Sequence, residues 1–210
     1  MVRAKSQFIC QQCGASYPKW VGKCENCGEW NSLVEQLPVD TGASAVARSS
    51  GKGKALTALK LSQTATEAKQ ARLATGIADL DAVLGGGFLP GGVVLVAGQP
   101  GIGKSTLLAQ VAAFIARRQP VLYVSGEESV SQVKLRAERL GAVDSENLQL
   151  ASSNSAEDIA ASIQTGQYDL VIVDSIQTLS LAEISSAPGS VSQITNSSNV
   201  IIRAAKASNT

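Results

Sequence analysis

One eight-residue segment constrains the fold of this chain more than any other feature. Residues 98–105 read GQPGIGKS and fit the pattern G-x-x-x-x-G-K-[ST], with an apolar run (VVLVA) before them and an amphipathic stretch after them. A loop of this pattern works where a buried strand of a parallel sheet passes into the first turn of a helix. The chain is therefore predicted to have an α/β fold built around such a strand–loop–helix unit.

The chain from about residue 71 onward supports the same fold class. Apolar runs alternate there with amphipathic stretches, which is typical of βαβ units and a parallel sheet. Strands are predicted at residues 93–97, 121–124, 148–150 and 170–173, and helices at residues 106–118, 130–140, 155–164 and 191–206. Gly141 is expected to end the second helix, whereas the asparagines between residues 196 and 199 weaken the prediction of the last one.

Composition divides the 210-residue chain into three regions. Residues 1–35 contain all four cysteines and form a small module, whereas residues 36–70 are rich in Ala, Ser, Thr, Gly and Lys and are predicted to be a flexible linker. Residues 71–210 form the α/β core. Because a parallel sheet needs another strand after its last helix and the sequence stops at Thr210, we expect a core truncated at its C-terminus and an N-terminal piece of a longer protein.

The residues of the phosphate-binding loop have distinct predicted tasks. Its glycines allow backbone N–H groups to point inward around an anion, and the next helix adds the positive end of its dipole. Lys104 is predicted to reach the β- and γ-phosphates of ATP, Ser105 to ligate Mg²⁺ and Thr106 to contact the α-phosphate. The predicted nucleotide-binding residues are Gly98, Gln99, Pro100, Gly101, Ile102, Gly103, Lys104, Ser105, Thr106 and Asp174. The alternative is a chance glycine-rich loop, and the flanking strand and helix argue against it.

Three carboxylates are predicted to complete this site. Asp174 ends the apolar run LVIV, so it is expected at the carboxyl edge of the sheet, where it would hold Mg²⁺ through water in the Walker B role. Glu127 and Glu128 follow another strand at the same edge. Hydrolysis needs a group that activates water, and we favour Glu127 over Glu128 as this base. The alternative is that these glutamates belong only to the acidic first turn of the next helix. The catalytic candidates are Lys104, Glu127 and Glu128.

The four cysteines form two CxxC pairs, Cys10 with Cys13 and Cys24 with Cys27, separated by ten residues. Two facing turns of this kind make a tetrahedral four-sulfur site, and since the protein fills all four positions, a structural zinc is predicted. Two disulfides, a redox CxxC motif and an iron site are the alternatives. Such a small module has too few apolar residues to fold on its core alone, so metal binding is expected to drive its folding.

Two tryptophans flank the second CxxC pair. Trp20 and Trp30 either pack against the small module or stack on nucleic-acid bases. We favour packing, because a minimal domain needs every large side chain for its core.

Several absences limit the function classes. The chain has no histidine, which excludes Ser-His-Asp and Cys-His catalysis and every histidine metal ligand. The N-terminus lacks the apolar region of a signal peptide, and no apolar run approaches about 18 residues, so we expect no membrane span and a cytoplasmic location with reduced thiols. The net charge of +1 predicts no general attraction to nucleic acid, although the first 60 residues are locally basic.

Several motifs together resemble one bacterial family, the RadA (Sms) DNA repair family. The cysteine motifs (CQQC at residues 10–13 and PKWVGKCENCGEWN at residues 18–31) resemble its zinc finger. TGIADLD at residues 75–81, VLGGG at 83–87, the phosphate-binding loop, SGEES at 125–129 and VDSIQT at 173–178 resemble its RecA-type ATPase core. The resemblance covers the whole chain except the linker.

The resemblance implies several properties that the residues alone do not. It implies a DNA-stimulated ATPase that promotes branch migration or extension of recombination intermediates, with single-stranded and branched DNA and a RecA-type recombinase as partners. It also implies a homo-hexamer, arginine fingers and DNA-contacting loops beyond Thr210, and a strand between the loop strand and the Walker B strand that this sequence does not reach. We expect little activity from this piece alone.

Two other functions remain open. One is a KaiC-like or replicative-helicase-like ATPase with a different task, and the cysteine module argues against it. The other is a binding module in which ATP changes affinity without being hydrolysed.

Overall fold

The computed structural model describes residues 7–36, 58, 72–140 and 145–210. Most of the predicted linker lies outside these residues, and so does Gly141. The boundaries proposed at residues 35 and 70 therefore stay predictions. Within the described residues, no helix is both long enough and apolar enough to cross a membrane.

The N-terminal module is a three-stranded antiparallel sheet. Its strands are β1 (Gln7–Cys10), β2 (Ser16–Tyr17) and β3 (Leu33–Gln36), in the order β2-β1-β3. Its small core contains two of the cysteines, Cys10 and Cys24, together with Leu33. We call this module the ribbon.

The C-terminal part is a parallel sheet with helices on both faces. Its elements are α1 (Ala78–Val83), α2 (Lys104–Ile115), β4 (Val121–Ser125), α3 (Val130–Arg139), β5 (Leu148–Ser152), α4 (Ala156–Gln164), β6 (Leu170–Asp174), a short 3-10 helix (Ile176–Thr178) and α5 (Val191–Ser208). The strand order is β5-β4-β6, and all pairings are parallel. The predicted α/β class and parallel sheet are therefore confirmed.

Alternation along the central strand β4 assigns each helix to a face. Tyr123 belongs to the apolar cluster that includes residues of α2 and α3, whereas Leu122 and Val124 belong to the cluster that includes α4 and α5. Every residue of β4 is buried, as expected for a strand covered on both faces. The phosphate-loop helix α2 therefore lies on the same face of the sheet as Tyr123.

Polar side chains set the beginnings of the helices. Ser129 caps α3 in a reciprocal capping box with Gln132, and the Ser155 hydroxyl accepts a hydrogen bond from the backbone N–H of Asp158 at 3.1 Å. Helix α5 continues through the asparagines, although they weakened its prediction. The Asn196 amide donates to the carbonyl of Ser192 at 2.8 Å, so its polar group is bonded within the helix.

One predicted strand is absent, since residues 93–97 form no strand. Val93, Val94 and Leu95 are 49%, 47% and 78% exposed. The apolar run predicts a strand buried on both faces, but a strand exists only when a neighbour pairs with it. Among the described residues, no strand lies beside this segment, and a cavity separates it from β6.

The ribbon contacts the beginning of α5 through Glu35. This residue is only 6% exposed, and its carboxylate accepts a hydrogen bond from the Ser185 hydroxyl at 3.0 Å. Its backbone carbonyl accepts further hydrogen bonds from Ser192 and from Asn196, the latter at 3.4 Å. The third strand of the ribbon is thereby attached to the parallel-sheet part by three polar contacts.

Candidate nucleotide and metal sites

The phosphate-binding loop requires glycine at two positions. Gly101 and Gly103 have φ angles of 78° and 101°, a conformation that side chains with a Cβ rarely adopt. Gly103 is also the residue from which α2 begins, so the N-terminal turn of a twelve-residue helix starts directly at Lys104. Ser105 and Thr106 lie in that first turn, where free backbone N–H groups and the helix dipole favour an anion.

Lys104 folds back over its own loop. Its Nζ donates hydrogen bonds to the carbonyls of Gly98 at 2.9 Å and Gln99 at 3.0 Å. These two carbonyls hold the ammonium at the loop, where phosphate oxygens can replace them as acceptors. Lys104 also lines an open cavity of about 220 Å³.

The same cavity brings the loop and the end of β6 together. It lies between residues 93–96, α2 and β6, and Asp174 lines it together with Lys104. Ser125 is the register partner of Asp174, so β4 and β6 end at the same edge. The predicted meeting of the loop and Asp174 at the carboxyl edge of the sheet is therefore present in the geometry. A hydroxyl and a carboxylate are the oxygen ligands that Mg²⁺ prefers, so Ser105 and Asp174 suit this ion.

Two residues that the sequence did not single out contact Asp174. The Tyr123 hydroxyl donates a hydrogen bond to Asp174 Oδ2 at 2.7 Å, and Arg136 Nη1 lies 3.8 Å from the same oxygen. Burial, together with this hydrogen bond and the charge of Asp174, raises the pKa of Tyr123, which keeps the phenol a proton donor. One signal was available, since Tyr123 is the one polar side chain within the apolar run VLYV.

The two candidate bases have different surroundings. Both backbone N–H groups donate to the Ser125 hydroxyl, that of Glu127 at 3.3 Å and that of Glu128 at 2.9 Å. Glu127 is exposed, and its Oε1 accepts a hydrogen bond from the Ser175 hydroxyl at 2.8 Å. The carboxylate of Glu128 is instead in close contact with the guanidinium of Arg136. Glu127 thus faces the residue after Asp174, whereas Glu128 is already paired with a cation.

The four thiols of the ribbon meet at one point. All four sulfur atoms lie within 4.8 Å of one another, with Cys10 and Cys27 at 3.6 Å and Cys13 and Cys24 also at 3.6 Å. A tetrahedral zinc with bonds of about 2.3 Å needs sulfur–sulfur distances of about 3.8 Å. All four cysteines are free thiols rather than disulfides. The donor set and its dimensions therefore fit zinc.

Each pair of cysteines is held by a tight turn that ends in glycine. Gly14 and Gly28 have φ angles of 75° and 77°, and their N–H groups donate to the carbonyls of Cys10 and Cys24 at 2.9 and 2.8 Å. Residues with a Cβ rarely adopt this backbone conformation, so both positions favour glycine. The turns point both sulfurs of each pair in the same direction.

Neighbouring hydroxyls favour the thiolate form of the buried cysteines. The Tyr17 hydroxyl, 3.3 Å from the sulfur of Cys24, is the main cause that lowers the pKa of Cys24 to about 6. The Ser32 hydroxyl lies 3.2 Å from the sulfur of Cys10 and is the main cause of its lowered pKa. Because zinc binds the thiolate, both hydroxyls prepare the site for the metal.

Comparison with known families agrees with both sites. A family described as AAA domain matches residues 57–208, and one described as rubredoxin metal binding domain matches residues 8–35. The chain belongs to the AAA domain family. Its other match coincides with the ribbon and its four cysteines, so the AAA domain is preceded by a metal-binding module, as predicted.

Three relatives that match nearly the whole chain carry the same name. The chain is 46% identical to DNA repair protein RadA of Brucella abortus over 98% of its length, and 42% identical to the proteins of the same name from Pseudomonas aeruginosa over 100% and Bacillus subtilis over 98%. The predicted resemblance is confirmed. The chain covers 45%, 46% and 45% of these relatives, so it spans less than half of their length.

A solved structure supports the RecA-like fold of the AAA domain. It is described as the structure of a DnaB-like replicative helicase and its interactions with primase, and it matches 66% of this chain and 41% of its own chain, with a TM-score of 0.55. The sequence identity is 15%, so the similarity concerns the fold alone. The predicted RecA-like P-loop core behind a four-cysteine ribbon is confirmed.

Proposed function

We propose that this chain supplies the zinc ribbon and the nucleotide-hydrolysing core of a DNA repair ATPase. The observation that carries the proposal is the cavity shared by Lys104 and Asp174, since it joins the phosphate-binding loop to the carboxyl end of the strand β6. Ligands of open α/β sheets bind at this edge. The AAA domain match and the RadA relatives support the same conclusion.

ATP binding is proposed to use the loop and the first turn of α2. The glycine-rich backbone receives the phosphates, and Lys104 exchanges its two carbonyl acceptors for β- and γ-phosphate oxygens. Thr106 contacts the α-phosphate. The Ser105 hydroxyl and, through water, Asp174 would hold Mg²⁺, which would supply positive charge to neutralise the phosphates. Tyr123 and Arg136 keep the Asp174 carboxylate oriented for this role.

Hydrolysis is proposed to use Glu127 as the base. Its carboxylate is exposed and held by the Ser175 hydroxyl, so one oxygen remains for a water molecule. Glu128 is less suited, because its charge is neutralised by Arg136. Glu128 is therefore proposed to hold Arg136 in place rather than to accept a proton.

The biological role follows from the relatives and is part of the proposal. The relatives are named as DNA repair proteins, and we extend this role to branch migration or extension of recombination intermediates on single-stranded and branched DNA. A RecA-type recombinase is the proposed protein partner, a homo-hexamer the proposed assembly and the cytoplasm the proposed location. The ribbon holds a structural zinc, since the protein supplies all four ligands.

Calorimetry with Mg²⁺-ATP tests the nucleotide site. We expect the 210-residue chain to bind Mg²⁺-ATP with heat that disappears in the Lys104→Ala variant. Lys134→Ala is the matched control, because this lysine is exposed on α3 in an ion pair with Glu138 and should not affect binding. If the intact protein that contains this sequence, with Lys104 unaltered, showed no magnesium-dependent affinity for ATP, the proposed function would be wrong.

An ATPase assay on the intact protein that contains this sequence tests the role on DNA. Turnover should rise when single-stranded DNA is added, and this rise should be lost with Lys104→Ala. A turnover rate that does not change when DNA is added would contradict the proposed repair role. It would favour an ATPase with another task, such as the helicase-like alternative.

A second candidate is a binding module that ATP switches without being hydrolysed. The phosphate-binding loop by itself favours it, because Gly98–Ser105 can hold a triphosphate whether or not hydrolysis follows. ATP binding without turnover in the intact protein would select this function.

A further inference from the structure

The two tryptophans of the ribbon lie on its surface. Trp20 is 53% exposed and Trp30 is 66% exposed, and neither belongs to the small core around Cys10, Cys24 and Leu33. The prediction that both serve mainly to pack the module is therefore wrong. Within residues 7–36 they are the only large apolar side chains with this degree of exposure. Exposing two indoles to water is unfavourable, and an exposed apolar patch of this kind indicates a binding site.

The two indoles meet over a glycine. A Cβ placed on Gly22 would lie 3.6 Å from Cη2 of Trp20 and 3.9 Å from Cζ3 of Trp30. The absence of a side chain at this position thus leaves open space beside both rings. The backbone of Gly22 also holds the arrangement, because its carbonyl accepts a hydrogen bond from the Asn31 N–H, next to Trp30, at 2.9 Å.

Positive charge accompanies the rings. Lys23 is the antiparallel bridge partner of Trp30, and its ammonium lies 5.5 Å from the centre of the Trp30 ring. Lys19, which is also exposed, directly precedes Trp20 in the sequence. The exposed Glu25 and Glu29 of the same module reduce its net charge, so a distant attraction to an anion is weak. A partner must therefore be recognised by direct contact with the two rings. The nearby lysines can then pair with its negative charge.

The composition of this surface favours unpaired bases over a protein. Protein interfaces combine aromatic side chains with other apolar ones, whereas Trp20 and Trp30 are the only exposed large apolar side chains among residues 7–36. Aromatic rings beside lysines are the arrangement on which bases of single strands stack while their phosphates meet the cations. Bases in a duplex present no free face, so a duplex fits this surface less well.

We propose that Trp20, Gly22 and Trp30, with Lys19 and Lys23, form a stacking platform for the unpaired bases of single-stranded nucleic acid. This inference rests on the proposed role on DNA and adds to it a surface of the ribbon that contacts unpaired bases. It does not depend on nucleotide binding at the phosphate loop.

Intrinsic fluorescence tests the platform directly, because Trp20 and Trp30 are the only tryptophans of the chain. The zinc-loaded 210-residue chain is titrated with a dT oligonucleotide of single-stranded form and with a duplex of the same length. We expect the oligonucleotide to quench the emission with saturation, and the duplex to do so at least about tenfold more weakly. No saturable quenching by the single strand would overturn the proposal.

Gly22→Leu is the decisive variant, since it fills the space beside the rings and keeps both fluorophores. The φ angle of Gly22 is not in the region reserved for glycine, and the added Cβ makes only ordinary contacts, so the ribbon should still fold. We expect affinity for the oligonucleotide to fall about tenfold or more, which is the range expected for one stacked base. Unchanged affinity would overturn the proposal.

Three controls make the result specific. Trp30→Ala, followed with a labelled oligonucleotide, should lose about as much affinity, whereas Trp30→Phe should keep most of it. Leu135→Ala, an exposed apolar side chain on α3, should change nothing. Zinc content of one ion per chain confirms the fold of each variant. Lys104→Ala should keep the quenching, so a failure of the ATP site and a failure of the platform are distinguishable.

Discussion

The Asp174 carboxylate is oriented by its neighbours before any ligand arrives. Tyr123 donates to Oδ2 and the guanidinium of Arg136 lies near the same atom, while Oδ1 has no hydrogen-bond partner among the described residues. A carboxylate with one oxygen fixed and one oxygen free can receive a water molecule without rearranging. The same guanidinium contacts Glu128, so one cation connects two of the three predicted carboxylates.

Replacing Glu127 with Gln should separate binding from hydrolysis. The amide keeps the size of the side chain and can still accept from Ser175, but it cannot take a proton from water. We expect the affinity for Mg²⁺-ATP to change less than about threefold and turnover by the intact protein to fall by about 10²-fold or more. Glu128→Gln is the matched comparison. Unimpaired hydrolysis by the Glu127→Gln variant would remove this residue from the mechanism.

Replacing Arg136 with Ala should remove the cation that neutralises Glu128 and helps to orient Asp174. Glu128 Oε2 is buried without a hydrogen-bond partner in the described structure, so the loss of the cation leaves its charge uncompensated. We expect a loss of about 1–3 kcal/mol in the free energy of unfolding and a lower kcat with a smaller change in KM. Arg136→Lys should restore part of both.

The neighbouring Arg139 provides the control for this experiment. It is exposed in the last turn of the same helix, so Arg139→Ala removes an equal charge from α3. If both variants lost the same stability and kcat, the effect would belong to the helix and not to the contacts of Arg136.

At the scale of the elements, the turn after β4 positions the candidate base. A Cβ on Gly126 would lie 2.0 Å from Oγ1 of Thr178 and 2.8 Å from Oδ1 of Asn154. The turn and the 3-10 helix after β6 therefore approach each other closely. Gly126 also donates its N–H to the carbonyl of Asp174 at 3.0 Å.

Gly126→Ala should move these two segments apart. We expect a loss of about 1–3 kcal/mol in the free energy of unfolding, because the added methyl group overpacks the contact. The fall in turnover should be larger than the loss of stability alone would cause. The reason is that the hydrogen bond between Ser175 and Glu127 joins the same two segments. Chemical denaturation and an ATPase assay measure the two effects. As a control, Gly166→Ala places a Cβ with no atom within 4 Å at a turn outside the nucleotide site, so it costs stability only through its φ angle of 66° and should lower turnover no further than that loss explains.

The elements also show what the sequence can and cannot predict. Helix α4 and strand β6 were predictable because a capping serine and an apolar run ending in aspartate are local signals. Residues 93–97 carry an equally clear apolar run, yet they form no strand, since pairing depends on a neighbour and not on the run itself. The contact of Arg136 with Asp174 could not be predicted from the sequence. These residues are 38 positions apart in the chain, and only the register of β4 with β6 brings them together.

At the scale of the molecule, the ribbon and the parallel-sheet part are joined by a few polar contacts. The ribbon has only three buried apolar residues in its core, which is too little to stabilise a module of this size. The four thiolates must therefore supply much of its stability through the metal.

Removing zinc under reducing conditions should unfold the ribbon. Because both tryptophans lie in it, their emission should change on adding a chelator, while the helices packed on the parallel sheet keep their circular dichroism signal. Zinc added back should reverse the change. A ribbon that kept its NMR dispersion without metal would contradict the structural role of zinc.

The buried Glu35 limits how this molecule can be divided. Its carbonyl is the acceptor for the Ser192 hydroxyl at the start of α5, and its carboxylate is the acceptor for Ser185. A version shortened to the part after the linker exposes the face of α5 on which the ribbon sits. A chimera that borrows a ribbon from a relative needs a carboxylate at the same place. The ribbon and the first turns of α5 must therefore be transferred together, even though more than 150 residues of sequence lie between Glu35 and Ser192.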